Sequence, residues 1–352
     1  MRPVPARWRA AAQAGWALLR RRQEAALLAL AALLLLGCLL PGHLTLQRAR
    51  FDHVVVLDIT QSMNVPDALV DGRPAARIDA AKHAVREAML DLPCGSKLGL
   101  GVFTEYRTLL VLAPVEVCEN LGELRATLAN LDGRMAWING SEVAKGLHSG
   151  LAVAKQLEDK PSLVFITDGQ ESPPLHPRHR PKLNGEPGEV PGLIVGVGQA
   201  QPSPIPKRDP QGRPIGVWGA DEVLQADPRS RGRSGSVAGE GMADDAAGPS
   251  VSVGATPGTE HLSGLREPYL RLLAQEDSLQ YHHLDGPRGL SEALRAPMFQ
   301  RPVPVKLPLR DVLAPLALLV LVLPYGWQGW RRWQGRRAGP KPEPPAAGVR
   351  GA

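Results

Sequence analysis

No formally charged residue interrupts the chain from Ala25 to Leu46, no phosphate-cradling glycine loop with its lysine occurs, and no Ser-His-Asp signature is recognisable. Without a glycine loop or a triad, phosphate transfer on a P-loop and acyl chemistry have no residues to run on, and no enzymatic activity is expected. Aromatic residues are sparse at 4%, whereas 37 glycines and 34 prolines are abundant, which predicts substantial irregular length. The formal charge of +6 invites a nucleic-acid reading. Much of that excess sits beside two apolar segments, however, and membrane topology explains it better, so no nucleic-acid partner is expected. A chain of 352 residues accommodates one domain with anchors and an irregular segment, or two small domains.

The first apolar segment is flanked by Arg2, Arg7, Arg9, Arg20, Arg21 and Arg22; the second, Val312 to Trp330, is followed by Arg331, Arg332, Arg336 and Arg337. Each is long enough to cross a hydrocarbon core of roughly 30 Å at about 1.5 Å per residue. Arginines outside both ends place the termini in the cytoplasm and export the middle, with Trp327, Trp330 and Trp333 as an interfacial belt. No small-x-small cleavage site follows the first run, only Pro41-Gly42-His43-Leu44, so a retained anchor is expected rather than a signal peptide. Leu35-Leu36-Gly37-Cys38 has a lipobox-like order, but Cys38 lies mid-segment and reads as a small buried residue. Pro315 and Pro324 are compatible with a membrane helix.

Between the anchors, the apolar run Val54-Val55-Val56-Leu57 ends in Asp58-Ile59-Thr60-Gln61-Ser62. A carboxylate and two hydroxyls thus follow a strand directly, at the end where open α/β sheets bind ligands. Oxygen-only ligation suits Mg²⁺, Ca²⁺ or Mn²⁺ rather than zinc. The alternative is that Asp58 only caps the next helix, since Asp, Ser and Thr favour that position. Ser162 to Gly169 is a second buried-strand pattern ending in Thr167-Asp168-Gly169, and Trp137 to Val143 is a turn carrying Ser141 at a helix start. In this order the three segments resemble the metal-ion-dependent adhesion site of the von Willebrand factor A domain. That family shows an Asp-x-Ser-x-Ser turn, a distant Thr and an Asp in a Thr-Asp-Gly turn. The resemblance implies a divalent cation, Mg²⁺ foremost, on Asp58, Thr60, Ser62, Ser141 and Asp168. Thr60 stands where Ser is usual and Ser141 where Thr is usual; both swaps keep a hydroxyl.

The organisation expected is α/β: a Rossmann-like A domain, mostly parallel with one antiparallel edge strand, helices on both faces, and flanking transmembrane helices. Helices are expected from about Ala75 to Leu90, Leu121 to Leu131, past Ser141 to Leu157, Leu262 to Ala274, and Leu290 to Leu294. Strands are expected at Lys97 to Phe103, Thr108 to Val115, Leu163 to Thr167, Gly192 to Gly198 and Leu279 to Leu284. Cys94 and Cys118 lie at the open ends of the hairpin folded about Glu105-Tyr106, and export permits a disulfide between them. In residue numbers, the expected plan is a basic cytoplasmic stretch 1–23, an anchor 24–46, the domain 51–300 with an irregular insertion 199–260, a linker 301–310, an anchor 311–330 and a basic tail 331–352. Within the insertion, 212–218 reads as a short patch able to dock on the domain, against the plainer reading of a loose loop. Pro302 to Pro308 reads as a stiff extended spacer. His282 and His283 face opposite ways if they lie on a strand, His176 and His179 read as solvated loop residues, and Glu171 as surface.

A cation with an open coordination position binds a carboxylate of a protein partner without making or breaking bonds. The two-anchor layout is similar to bacterial A-domain proteins that work with MoxR-type AAA+ ATPases. Within these, the chain looks most like accessory proteins of methanol dehydrogenase maturation, the MxaC and MxaL types, through the anchors, the hydroxyl swaps and the segment 214–222. This implies a domain in the periplasm, held in the bacterial inner membrane, acting on a dehydrogenase as client. The rival expectations are an aerotolerance (Bat) protein of envelope stress, and a structural anchor with a metal-free site.

Overall fold

The structure is a computed structural model that describes residues 25–138, 140–175, 179–182, 184–225, 242–244 and 258–337. The expectations for 1–23, Asn139, His176, the segment 229–236 and the tail beyond 337 lie outside them. The chain divides into two compact units, Ala49–Pro302 and the paired terminal stretches Met1–Arg48 with Val303–Ala352.

The larger unit is built on runs of β-branched and leucine residues that need both faces covered. Strand β1 (His43–Asp58) is completely buried from Phe51 onward. It pairs in parallel with β2 (Lys97–Thr104) on one side and β4 (Ser162–Thr167) on the other. Strand β3 (Arg107–Glu116) is antiparallel to β2, while β5 (Gly192–Gly196) and β8 (Gln280–His283) extend the parallel side. The order is β8-β5-β4-β1-β2-β3, with β9 (Gln300–Pro308) pairing β1 as a seventh strand.

Alternate side chains of β1 enter opposite layers. Val55 and Leu57 pack with Ile78, Val85 and Met89 of helix α2 (Arg77–Asp91), Leu124 of α3 (Leu121–Asn130) and Leu290 of α6 (Pro287–Leu294). Val54 and Val56 pack with Leu147 and Leu151 of α4 (Val143–Gln156) and with Leu270 and Leu273 of α5 (Glu267–Glu276). The two apolar layers therefore hold the sheet from both faces and leave its C-terminal edge to the loops. Cys94 and Cys118 are joined across the open end of the β2–β3 hairpin, Cα to Cα 5.3 Å.

Three expectations differ from what the chain adopts. The helix expected from Leu262 begins at Glu267, with Pro268 in its first turn where a missing N–H costs nothing. Leu262–Ser263 instead pairs with Ser203–Pro204. The spacer 302–308 is not a free rod, because it lies in β9, whose backbone finds partners in β1. The stretch 43–46, expected to end a membrane helix, is already strand; the first helix, α1, is described over 25–37. Among the described residues, no helix is long and apolar enough to cross a membrane.

The insertion is more ordered than a loose loop over 203–225. Strands β6 (Pro206–Arg208) and β7 (Pro214–Val217) form an antiparallel hairpin. The smaller unit holds α1 and α7 (Leu309–Arg337). Among its described residues Ala31 and Ala317 are buried, while Leu28, Leu33, Leu36, Leu318 and Leu323 are exposed.

Candidate functional site

At the C-terminal end of β1 the chain leaves the sheet at Asp58, which is fully buried. Its Oδ1 accepts from the Thr60 amide at 2.9 Å and from the Thr60 hydroxyl at 2.6 Å. Its Oδ2 accepts from Thr167 Oγ1 at 2.6 Å, so the ends of β1 and β4 are tied together at the carboxylate. The Oγ atoms of Thr60 and Ser62 lie 3.3 Å apart. Ser62 opens no long helix; it sits in a short 3-10 turn, Gln61–Asn64. Asp58 caps neither that turn nor α2, since neither has a side-chain cap.

Asp168 follows β4 and is also fully buried. Gly169 adopts φ +80°, a left-handed turn that brings the chain about within one residue, and a Cβ there would meet Arg266 and Leu270. The Gln170 amide then donates to Asp168 Oδ1 at 2.9 Å. Burial, and then the neighbouring Asp168 carboxylate, push Asp58 well above the usual carboxylate range. Ser141 lies at the same edge, bridged to Glu105 beyond β2 and to Ser172 beyond β4. Its backbone is satisfied by Ser172 at 2.7 Å in both directions, yet its Oγ is buried without any hydrogen-bond partner.

A buried hydroxyl with no partner is costly, and a buried Asp58 carboxylate whose charge is disfavoured by burial and by Asp168 is costly again. A hard cation held there would relieve both costs. The donor set of Asp58, Thr60, Ser62, Ser141 and Asp168 is all oxygen and fits Mg²⁺, Ca²⁺ or Mn²⁺. The cluster of Cys94, Cys118 and Glu116 offers no rival site, because both sulfurs are consumed in the disulfide.

Several residues around this edge escaped sequence reasoning. Arg77, fully buried, donates from Nη1 to Asp168 Oδ2 at 2.6 Å and to Ser263 Oγ at 2.6 Å. Its Nε and Nη2 hold Asp67 at 2.9 and 2.6 Å. The guanidinium thus neutralises one oxygen of Asp168, while the other accepts from the Gln170 amide. One signal was available: an arginine opening a helix opposes the positive end of the helix dipole, and such a violation calls for a partner elsewhere. Gly198, at φ +111°, is close enough to the Arg77 side chain that a Cβ there would collide with it.

Glu171 is a correction to the surface reading, being buried. Its carboxylate accepts from the Val143 and Ala144 amides at 3.0 and 3.1 Å and from the Tyr269 hydroxyl at 2.5 Å. It therefore caps α4 from a distant loop, directly behind Ser141, and burial pushes it up to about 8 against the pull of those donors. His282 and His283 lie on β8, where the His283 Nε2 comes 3.4 Å from the Gly198 carbonyl oxygen; His282 is held below its ordinary value by burial. Among the described residues, no cluster of possible metal ligands includes either histidine.

The insertion reaches the site through Gln61. Gln61 Oε1 accepts from Trp218 Nε1 at 3.1 Å and from the Arg208 amide at 3.2 Å. Lys207 lies 4.6 Å from the centre of the Trp218 ring and pairs with Glu222. The patch expected at 212–218 is therefore docked, through Trp218, on the turn that carries Gln61.

Residues 53–170 match the family model of the von Willebrand factor type A domain. No curated protein matches the sequence. Solved structures with similarity include an aerotolerance-related membrane protein from Bacteroides fragilis, 16% identical over 69% of this chain and 96% of that one, TM-score 0.42. BatB from Bacteroides thetaiotaomicron is 15% identical over 69% of this chain and 95% of its own, TM-score 0.42. A von Willebrand factor type A protein from Catenulispora acidiphila is 15% identical over 73% of this chain and 43% of its own, TM-score 0.37.

Proposed function

With a von Willebrand factor type A domain between its terminal helices as the premise, we propose that this chain is a membrane-anchored binding protein that grips a carboxylate of a protein partner through a divalent cation. Asp58, Thr60, Ser62, Ser141 and Asp168 would hold the ion. When bound, the ion supplies a hard, positively charged coordination position to which a partner's Asp or Glu side chain is attracted. The rest is done by the chain. Thr167 and the Thr60 amide orient Asp58, Arg77 orients Asp168, and Glu171 sets the start of α4 so that Ser141 keeps its place. The observation that carries the reading is the buried, partnerless hydroxyl of Ser141 at the edge where Asp58 and Asp168 meet.

The anchors are the two terminal helices, with small residues buried and leucines exposed, the distribution expected where helices pack in lipid. The client class proposed is a periplasmic dehydrogenase under assembly, with a MoxR-type AAA+ ATPase supplying energy from the cytoplasm. The anchor layout and the segment 214–222 support this.

Titration calorimetry of the full chain in detergent with Mg²⁺, Ca²⁺ and Mn²⁺ tests the ion. Heat is expected from the native protein and none from Asp58→Ala. No heat from either, or equal heat from both, removes the reading. A pull-down from membranes comparing native protein with Asp168→Ala then tests the client: a dehydrogenase lost in the variant supports assembly, and envelope-stress components would favour the aerotolerance role instead.

A further inference from the structure

The open end of the β2–β3 hairpin carries chemistry that the oxygen site does not use. Cys94 and Cys118 are both exposed there, and Glu116 stands beside them. The two sulfurs and a carboxylate oxygen of Glu116 all lie within 4.8 Å of one another. Among the described residues, no other trio of His, Cys, Asp or Glu side chains is gathered so closely. While the bridge stands, the sulfurs are spent on each other. Once it is reduced, the same place holds two thiols and a carboxylate.

The fold keeps the two cysteines together without the bridge. Leu92, just before Cys94, and Val117, adjacent to Cys118, are buried in the layer packed on α2. The Val117 amide donates to the Ser96 carbonyl at 2.9 Å, and Lys97 is in register with Glu116. Glu116 adds a second fastening. Its Oε1 accepts from the Gly95 amide at 2.5 Å and its Oε2 from the Glu119 amide at 2.5 Å. One carboxylate therefore ties the residue after Cys94 to the residue after Cys118. With the Cα atoms 5.3 Å apart, the thiols need only side-chain rotation to open around an ion whose bonds to sulfur are about 2.3 Å.

Glu116 is equipped for the third position. A carboxylate has about four acceptor sites, and the amides of Gly95, Glu119 and Cys118 use three of them. Burial raises Glu116, yet those amides together hold it below its ordinary value, so it is anionic at neutral pH. Amides placed in this way orient a ligand as an outer shell does. Two thiolates and one carboxylate are a softer set than the all-oxygen edge. They suit Zn²⁺ in a tetrahedral site whose fourth position is open to water.

We propose that Cys94, Cys118 and Glu116 form a redox-gated zinc site, in which the ion replaces the disulfide as the cross-link of the hairpin's open end. The reductant is a dithiol protein. Its thiolate attacks one exposed sulfur, the S–S bond breaks, and a mixed disulfide forms, which its second thiol resolves. Two electrons and two protons pass to this chain, and the reductant leaves as a disulfide. Zinc then displaces the two thiol protons. Exchange with an oxidised protein of the same class reverses the sequence and expels the ion. The site lies at the N-terminal end of β2, in register with Asp52 of β1, and so is separate from the oxygen edge after Asp58.

Cobalt is the probe, because thiolate ligation gives Co²⁺ a near-ultraviolet charge-transfer band that oxygen ligands do not. The full chain in detergent, with Cys38→Ser to leave only this pair, is reduced with a phosphine, desalted without air and titrated. One equivalent of Co²⁺ should saturate the band, Zn²⁺ should bleach it, and the oxidised chain should show none. Glu116→Gln should weaken Co²⁺ binding by about tenfold or more. Reduction should lower the urea midpoint, and Zn²⁺ should restore it in part. A reduced chain that keeps its far-ultraviolet spectrum but shows no band overturns the site. So does one that loses that spectrum, since the hairpin then does not hold the thiols. Unchanged Co²⁺ affinity in Glu116→Gln overturns the three-ligand assignment, and a midpoint unmoved by Zn²⁺ overturns the cross-link.

Discussion

Arg77 and Glu171 show how single buried charges organise this edge. Arg77 joins Asp67, Asp168 and Ser263, so three segments depend on one guanidinium. Glu171 is the opposite case, a carboxyl whose burial outweighs its donors. Its folded value of about 8 lies above the ordinary 4.5. A group raised on folding stabilises below its unfolded value, and that contribution is lost as pH rises through the folded one. Thermal stability in EDTA should therefore fall between about pH 4.5 and pH 8, by at most on the order of 5 kcal/mol from this group. Glu171→Gln should flatten that part of the profile, and a parallel decline in the variant would assign it to other groups. None of this was legible from one position in the chain. Glu171 follows Gly169-Gln170 in a polar stretch, and its partner Tyr269 is 98 residues away.

Among the elements, the β2–β3 hairpin carries the clearest local logic. Two apolar strands meet at a tight turn, Glu105 adopts φ 59° there, and Cys94 and Cys118 fall opposite one another. The disulfide closes a loop with a sequence separation of 24. On the chain-entropy model such a bridge stabilises by about 3 kcal/mol. Cys94→Ser/Cys118→Ser should lower the urea midpoint accordingly, with spectroscopic content of the folded state retained. A midpoint that does not move would mean the bridge constrains nothing. The hairpin and the turns after β1 and β4 could be anticipated because apolar runs ending in Gly, Asp or Ser mark where strands stop. The start of α5 could not, since Leu262–Ser263 finds its partner at Ser203–Pro204, across the insertion.

For the molecule as a whole, the proposed anchors would decide where the domain works. The terminal unit's described helices expose leucines such as Leu33 and Leu318 and bury Ala31 and Ala317. An exported domain also agrees with a disulfide, which persists in oxidising compartments. Gln211, exposed in the loop of the docked hairpin, offers a reporter. Gln211→Cys in a Cys38→Ser background should react with a membrane-impermeant maleimide in spheroplasts before lysis. Labelling only after lysis would place the domain on the cytoplasmic side and end the proposed periplasmic role.

What the amino-acid order determined by itself is whatever depends on neighbours: the strands that bury both faces, the helices between them, and the hydroxyls spaced two apart after Asp58. Those features arise from side-chain periodicity and turn chemistry, which act over a few residues. The tertiary structure alone decided how charge is balanced behind the site and what stands at its rim. Arg77 meets Asp168 across 91 residues and Ser263 across 186, and Trp218 meets Gln61 across 157. Such pairs leave no periodic trace, because burial makes each charge seek whichever partner the fold brings near.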